Sequence, residues 1–200
     1  MQQRSSKRIS LVLFDGFELL DVAGPLEIFS KVAGWETTLL SPDGRPVASS
    51  QGVRFEVGGD YAPRSCDVVF VPGGQGTRRL AGDESFLKSL QKMANEASVV
   101  MSVCTGSALL AAAGLLEGYA ATSNKRAFAW ATSFGHDIDW RRSARWVHDR
   151  DRWTSSGVSA GTDMAVAFVA DACGEAVARE VADAVELRLH LDPNNDPFAV

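Results

Sequence analysis

The sequence predicts an α/β fold with a mainly parallel central sheet, and three observations predict it. Short apolar runs at 9–14, 67–71 and 98–103 carry β-branched residues and read as strands covered on both faces. Segments with helical spacing separate these runs, the alternation expected of an α/β sheet. Residues 98–116 pass from Ser-Val-Val-Met-Ser-Val through Cys104 into an Ala- and Leu-rich stretch, a strand–nucleophile–helix elbow with Gly106 two residues on.

Each element follows from local signals. Residues 9–14 form the first strand, and the turn around Asp15 and Gly16 follows it. The spacing of Leu26, Ile28, Phe29 and Val32 predicts a short helix from residue 21 or 25 to 32, with Pro25 near its first turn. Residues 35–40 form a second strand, ended by the turn sequence Ser-Pro-Asp-Gly at 41–44. Residues 53–57 alternate with period two and read as an exposed or edge strand. The continuous apolar run 67–71 is a central strand that leads into Pro72-Gly73-Gly74-Gln75-Gly76. Residues 83–95 place Phe86, Leu87, Leu90 and Met93 on one helical face. Beyond the elbow, the pattern predicts a strand at 119–123, a helix at 125–134, a hairpin across 144–154, and helices at 159–172 and 175–190.

Ligands of such sheets sit outside the carboxyl ends of the strands. Three loops leave strands there: 15–21, 72–76 and 104–107. Carboxylates, glycine amides and a thiol are thereby expected around one pocket. Cys104, at the start of a helix, meets free N–H groups and the positive end of a dipole, which bias it toward thiolate. It also fits a buried structural cysteine, a common state of free Cys. Asp21 is a candidate acid, and equally a helix N-cap; Asp15 and Glu18 are alternative acids on the same loop. Gly73 and Gly74 suit a tight turn. Cys66 and Cys173 lack a helix-start setting and are expected to be structural, and Asp163 is expected to stabilise the start of a helix. Trp130 and Trp153 are expected in packing, with a pocket wall as the alternative.

Composition narrows the function. Two hundred residues with 46% hydrophobic content suit one domain over 1–200. A net charge of −5 without a basic run argues against nucleic acid and anionic membranes as partners. Arg141, Arg142 and Arg145, flanked by acids, read as a solvated ion-paired face. No run approaches the ~20 apolar residues of a spanning helix. A polar start over residues 1–6 and three cysteines without a secretory signal predict free thiols in a reducing, cytoplasmic setting. His136, His148 and His190 have no metal-ligand spacing, and no metal is expected.

Four pieces in order, Leu20-Asp21-Val22-Ala23-Gly24-Pro25, Val71-Pro72-Gly73-Gly74-Gln75-Gly76, Ser102-Val103-Cys104-Thr105-Gly106-Ser107 and Gly157-Val158-Ser159-Ala160-Gly161-Thr162-Asp163, resemble the ThiJ/PfpI superfamily. The match covers nearly the whole chain. Within it, the first and third pieces look most like isonitrile hydratases and the sensor domains of AraC-type regulators. The resemblance implies a flavodoxin-like three-layer sandwich, a cofactor-free small-molecule enzyme and a homodimer. It implies Cys104 as nucleophile, Asp21 as the acid approaching its sulfur, and the N–H groups of Gly74 and Thr105 as an oxyanion-type hole. It places Gly73, Asn124, Ser156 and Gly157 around the pocket. Asn124 stands where many hydratase-like members have His, and Asn is no base, which argues against Cys–His peptidase chemistry. The expected reaction is addition of water to an isocyanide, giving an N-substituted formamide. The alternatives are a redox or small-molecule sensor with an oxidisable cysteine, and glyoxalase- or amidase-like chemistry. The regulators carry a helix-turn-helix region after this domain; residues 192–200 leave no room for one, and DNA binding is not expected.

Overall fold

The computed structural model describes residues 6–62 and 65–199; the expected polar start over residues 1–5 lies outside them. In chain order the elements are β1 (Lys7–Val12), α1 (Leu19–Ser30), β2 (Trp35–Leu40), β3 (Val47–Ala48), β4 (Arg54–Phe55), β5 (Val68–Val71), α2 (Thr77–Leu80) and α3 (Glu84–Glu96). Then follow β6 (Val99–Val103), α4 (Gly106–Ala112), β7 (Tyr119–Ala121), α5 (Phe128–Ala131), β8 (Ile138–Trp140), β9 (Trp146–Asp149), β10 (Arg152–Ser155), α6 (Ala160–Cys173) and α7 (Glu175–Ala184).

Six strands make the main sheet in the order β2-β1-β5-β6-β10-β9. All pairings are parallel except that of β9 with β10. β5 is buried along its whole length, as its unbroken apolar run requires. Helices cover the sheet in two groups: α1, α6 and α7 pack together, and α2, α3 and α5 surround α4. In the first group Phe29 meets Phe70 and Phe168 edge-on at 6.1 and 6.3 Å, and in the second layer Phe14 meets Phe86 at 6.1 Å. Burying each such side chain stabilises the fold by roughly 1.5–3 kcal/mol, so the aromatic contacts fix the helix layers firmly. The expected flavodoxin-like α/β sandwich is what the chain forms.

The sheet order reverses direction between β1 and β5, since the chain steps outward to β2 and then returns past β1. The loops after β1 and β5 meet at the carboxyl edge of this switch point and are tied together there: the Glu18 N–H donates to the Gly73 carbonyl at 2.8 Å and the Gly76 N–H to the Gly16 carbonyl at 3.0 Å. The loop after β6 packs against the same place, where the Gly74 N–H donates to Thr105 Oγ1 at 3.0 Å.

Local differences from the sequence reading have identifiable causes. The strand expected over 53–57 is reduced to β4, paired antiparallel with β3 outside the main sheet. The helix expected over 125–134 contracts to α5, because Asn124 and Lys125 turn their side chains inward to backbone and hydroxyl partners. The last helix stops at Ala184; Glu186 adopts φ 50°, and the chain then runs back so that the His190 N–H reaches Asp163. Arg145 is not on a solvated face. It is buried and bonds Asp163 through Nε at 2.7 Å and Nη2 at 2.5 Å. Asp163 thus anchors the β9–α6–α7 corner, a structural role broader than the expected support of one helix start.

Candidate active site

Cys104 occupies the expected elbow. It follows β6 directly, takes φ 59°, and lies two residues before the first residue of α4. A left-handed conformation at a non-glycine residue is costly and persists only where surroundings enforce it. Here the Cys104 N–H is shared between the carbonyls of Ser155 and Ser156 at 3.2 and 3.1 Å, and its own carbonyl accepts the hydroxyls of Ser107 and Ser123, both at 3.1 Å. Ser156 thus contributes its main chain to the elbow. Gly73 is equally constrained: a Cβ there would lie 2.5 Å from the Thr105 nitrogen and 2.8 Å from the Cys104 Cβ. Only glycine lets the loop after β5 approach the elbow this closely.

Asp21 lies inside α1, whose N-cap is Glu18, so the helix-cap alternative is excluded by position. Its side chain is 0% exposed. One carboxyl oxygen, Oδ2, accepts the Gly73 N–H at 2.8 Å. The other, Oδ1, is buried with no hydrogen-bond partner among the described residues. Burial foremost, aided by the nearby Glu18 charge, raises Asp21 to about 7; the Gly73 N–H and the Cys104 thiol oppose this rise. The alternative acids are engaged elsewhere: Asp15 accepts the Ala48 N–H at 2.9 Å, and Glu18 accepts the Gln51 amide at 2.7 Å.

Two site expectations need correction. The helix start does not make Cys104 a thiolate. The residue is only 6% exposed, and burial, with the Asp21 carboxylate second, pushes the thiol well above its ordinary value despite donors from Thr105 and Asn124. Desolvation of a charge outweighs the partial charge at the end of a seven-residue helix. Gly74 does not offer a free oxyanion donor either. Its N–H donates to Thr105 Oγ1 at 3.0 Å, and the Thr77 hydroxyl meets the same oxygen at 3.1 Å. The Thr105 N–H does face the sulfur.

Asn124 is more than a wall of the pocket. Its Oδ1 accepts the Ala127 N–H at 3.0 Å, which orients the amide so that Nδ2 donates to Cys104 Sγ at 3.2 Å. Gly157 has no side chain to obstruct this amide, and the two residues, with Ser156 and Val158, line a cavity of about 270 Å³ beside the elbow. Val158 also holds a left-handed φ of 52°, and its main chain acts on Asp21. Nothing in the sequence marks that residue as strained. None of the histidines joins the thiol. His148 stacks on Trp153 at 3.9 Å, His190 bonds the Asn195 carbonyl, and the main chain of His136 bonds Glu117. Among the described residues no three His, Cys, Asp or Glu side chains form a group able to hold a metal ion, and no helix is long and apolar enough to cross a membrane.

A buried thiol on a positive-φ elbow, opposed by a carboxyl at the edge of a flavodoxin-like sheet, defines a class of cysteine-elbow α/β proteins. The chain belongs to the DJ-1/PfpI family, whose model matches residues 7–171. It is 34% identical over 194 residues to an isonitrile hydratase of Pseudomonas putida, covering 93% of this chain and 79% of that protein. It is 35% identical over 177 residues to the HTH-type transcriptional regulator GbdR of Pseudomonas aeruginosa, covering 82% of this chain but 46% of the regulator. The crystal structure of a ThiJ/PfpI family protein from Pseudomonas syringae superposes with a TM-score of 0.80 at 31% identity, over 91% of this chain and 75% of that one.

Proposed function

We propose that the protein is a cysteine-dependent hydratase that converts an isocyanide and water into an N-substituted formamide. One observation carries this reading. A fully buried carboxyl, raised by burial to about 7, sits beside the Cys104 thiol with one oxygen fixed by the Gly73 N–H. Such a group suits proton transfer at neutral pH in both directions. The similarity to the Pseudomonas putida isonitrile hydratase supports the choice of substrate.

In this mechanism the sulfur attacks the isocyanide carbon as its proton passes to Asp21. The carbon keeps the former lone pair and takes the proton from Asp21, which leaves a thioformimidate on Cys104. Negative charge on sulfur during the attack is met by the Asn124 amide at 3.2 Å and the Thr105 N–H. Water then adds to the same carbon. Its first proton passes through Asp21 to the nitrogen; the hydroxyl of the adduct then gives its proton to Asp21 as the C–S bond cleaves, Asp21 passes that proton to sulfur, and the formamide leaves. Covalent catalysis divides one difficult hydration into two additions. The low exposure of Cys104 disfavours peroxide sensing, which depends on an accessible thiol.

The test is formamide release from an alkyl isocyanide, run beside methylglyoxal consumption. Cys104→Ala abolishes turnover in this scheme, and Asp21→Asn lowers kcat by at least about 10²-fold, the low end for a lost general acid. Turnover retained by Cys104→Ala, or methylglyoxal consumption without formamide release, would overturn it.

A further inference from the structure

Arg78 and Trp130 come from two segments that each touch the nucleophile's surroundings. Arg78 follows Thr77, whose hydroxyl contacts that of Thr105 at 3.1 Å. Trp130 stands on α5, which Asn124 ties to the sulfur through its two-ended amide. The two side chains meet, with the Arg78 guanidinium carbon 3.5 Å from the centre of the Trp130 ring. Phe134 braces the indole edge-on at 5.1 Å.

A guanidinium stacked on an indole uses its face and leaves its N–H donors at the rim uncommitted. Several other arginines of this chain engage carboxylates, among them Arg8 with Asp67, Arg79 with Asp83, Arg145 with Asp163 and Arg152 with Asp151. Among the described residues, Arg78 has no carboxylate partner and no hydrogen bond from its guanidinium. Arg78 is exposed; slight desolvation by its neighbours lowers its pKa, and the Cys104 sulfur acts on its charge in the opposite sense. A stacked, uncommitted guanidinium within electrostatic range of the nucleophile has the planar fork that matches a carboxylate bidentately.

We propose that Arg78, held by Trp130, is a specificity-determining residue that receives a carboxylate on the molecule attacked by Cys104. Under the hydratase reading, on which this choice of substrate rests, the substrate class is an isocyanide that bears a carboxylate. The indole would then flank the hydrocarbon between the carboxylate and the reacting carbon.

Alkylation of Cys104 tests the anion preference without requiring hydratase activity. Iodoacetate and iodoacetamide differ chiefly in the negative charge, and adducts at Cys104 are mapped by mass spectrometry in wild type, Arg78→Gln and Arg78→Lys. Arg78→Gln is expected to lower the iodoacetate-to-iodoacetamide rate ratio about tenfold, the scale of one partly desolvated charge-assisted contact. Arg78→Lys should retain part of that ratio, and 0.5 M salt should erode the wild-type preference, with a Debye length of about 4 Å at that strength. A ratio unmoved by Arg78→Gln overturns the proposal, including the case in which both reagents slow equally because Arg78 only supports the thiolate. The second arm compares kcat/KM for isocyanoacetate and its neutral methyl ester: wild type should prefer the acid, and Arg78→Gln should lose that preference. If neither compound yields formamide, the hydratase reading fails while the alkylation ratio still decides the role of Arg78.

Discussion

Replacing Asp21 with Asn should change how stability depends on pH, by an amount that follows from the burial of this carboxyl. The folded protein raises Asp21 from 3.8 to about 7. Between those values the native chain holds a proton that the unfolded chain has released, so rising pH favours unfolding through this group. Its contribution is absent as a penalty below about 3.8, grows by about 1.4 kcal/mol per pH unit, and is complete above about 7. The full span of roughly 3 units corresponds to about 4 kcal/mol, of which about 2.7 kcal/mol accrues between pH 5 and 7. Because Asp21 is fully buried, solvent screening does not discount this figure appreciably. Asn has the same shape, can still accept the Gly73 N–H and does not titrate. The stability gap, Asn variant minus wild type, should therefore rise by a few kcal/mol from pH 5 to 7 and flatten by pH 8. Guanidinium unfolding at each pH measures it, with equal m-values as the check that both chains unfold alike. Parallel curves for the two proteins would refute the argument, because a carboxyl that ionises freely in the fold cannot serve as the shared proton carrier.

Two further outcomes follow from other contacts. Asn124→Ala removes the amide donor on sulfur, and iodoacetamide labelling of Cys104 at pH 8 should slow by about tenfold, the scale of a lost hydrogen bond to a charged group; an unchanged rate would return Asn124 to a packing role. Arg145→Leu leaves Asp163 buried without its cation, and a loss of about 3–5 kcal/mol in denaturant unfolding is expected; a loss below about 1 kcal/mol would show that Asp163 protonates or rehydrates cheaply.

The sequence made the frame of the site legible because its signals are local. The apolar runs of β5 and β6, the paired glycines after β5 and the Ala-rich start of α4 each need only neighbouring residues to be read. Cys104 and Asp21 were reached from their loops and from the family resemblance. What it hid depends on distance. The thiol pKa is set by how completely four separate segments exclude water, and helix-end logic alone gave the opposite sign. Gly74 looked like an oxyanion donor until Thr105 and Thr77, 31 and 3 residues away, claimed its environment. Arg145 looked solvated because the acids flanking it in sequence are visible, whereas its partner Asp163 lies 18 residues on. The role of Asn124 was half legible: its position followed from the resemblance, but its orientation rests on the Ala127 N–H.

The elbow's backbone anchors carry a consequence for the order in which the chain matures. The Cys104 N–H is held by carbonyls of Ser155 and Ser156, which exist as a docking edge only after β10 has been added beside β6. Asp21 and Gly73 arrive earlier in synthesis than the nucleophile, yet the main-chain acceptors that hold it in its left-handed turn, Ser155 and Ser156, arrive about fifty residues after Cys104. A nascent chain halted before β10 therefore carries its thiol on an unanchored turn, with the protecting enclosure unfinished. Protection of that sulfur from solvent reagents is in effect a clock for closure of the sheet.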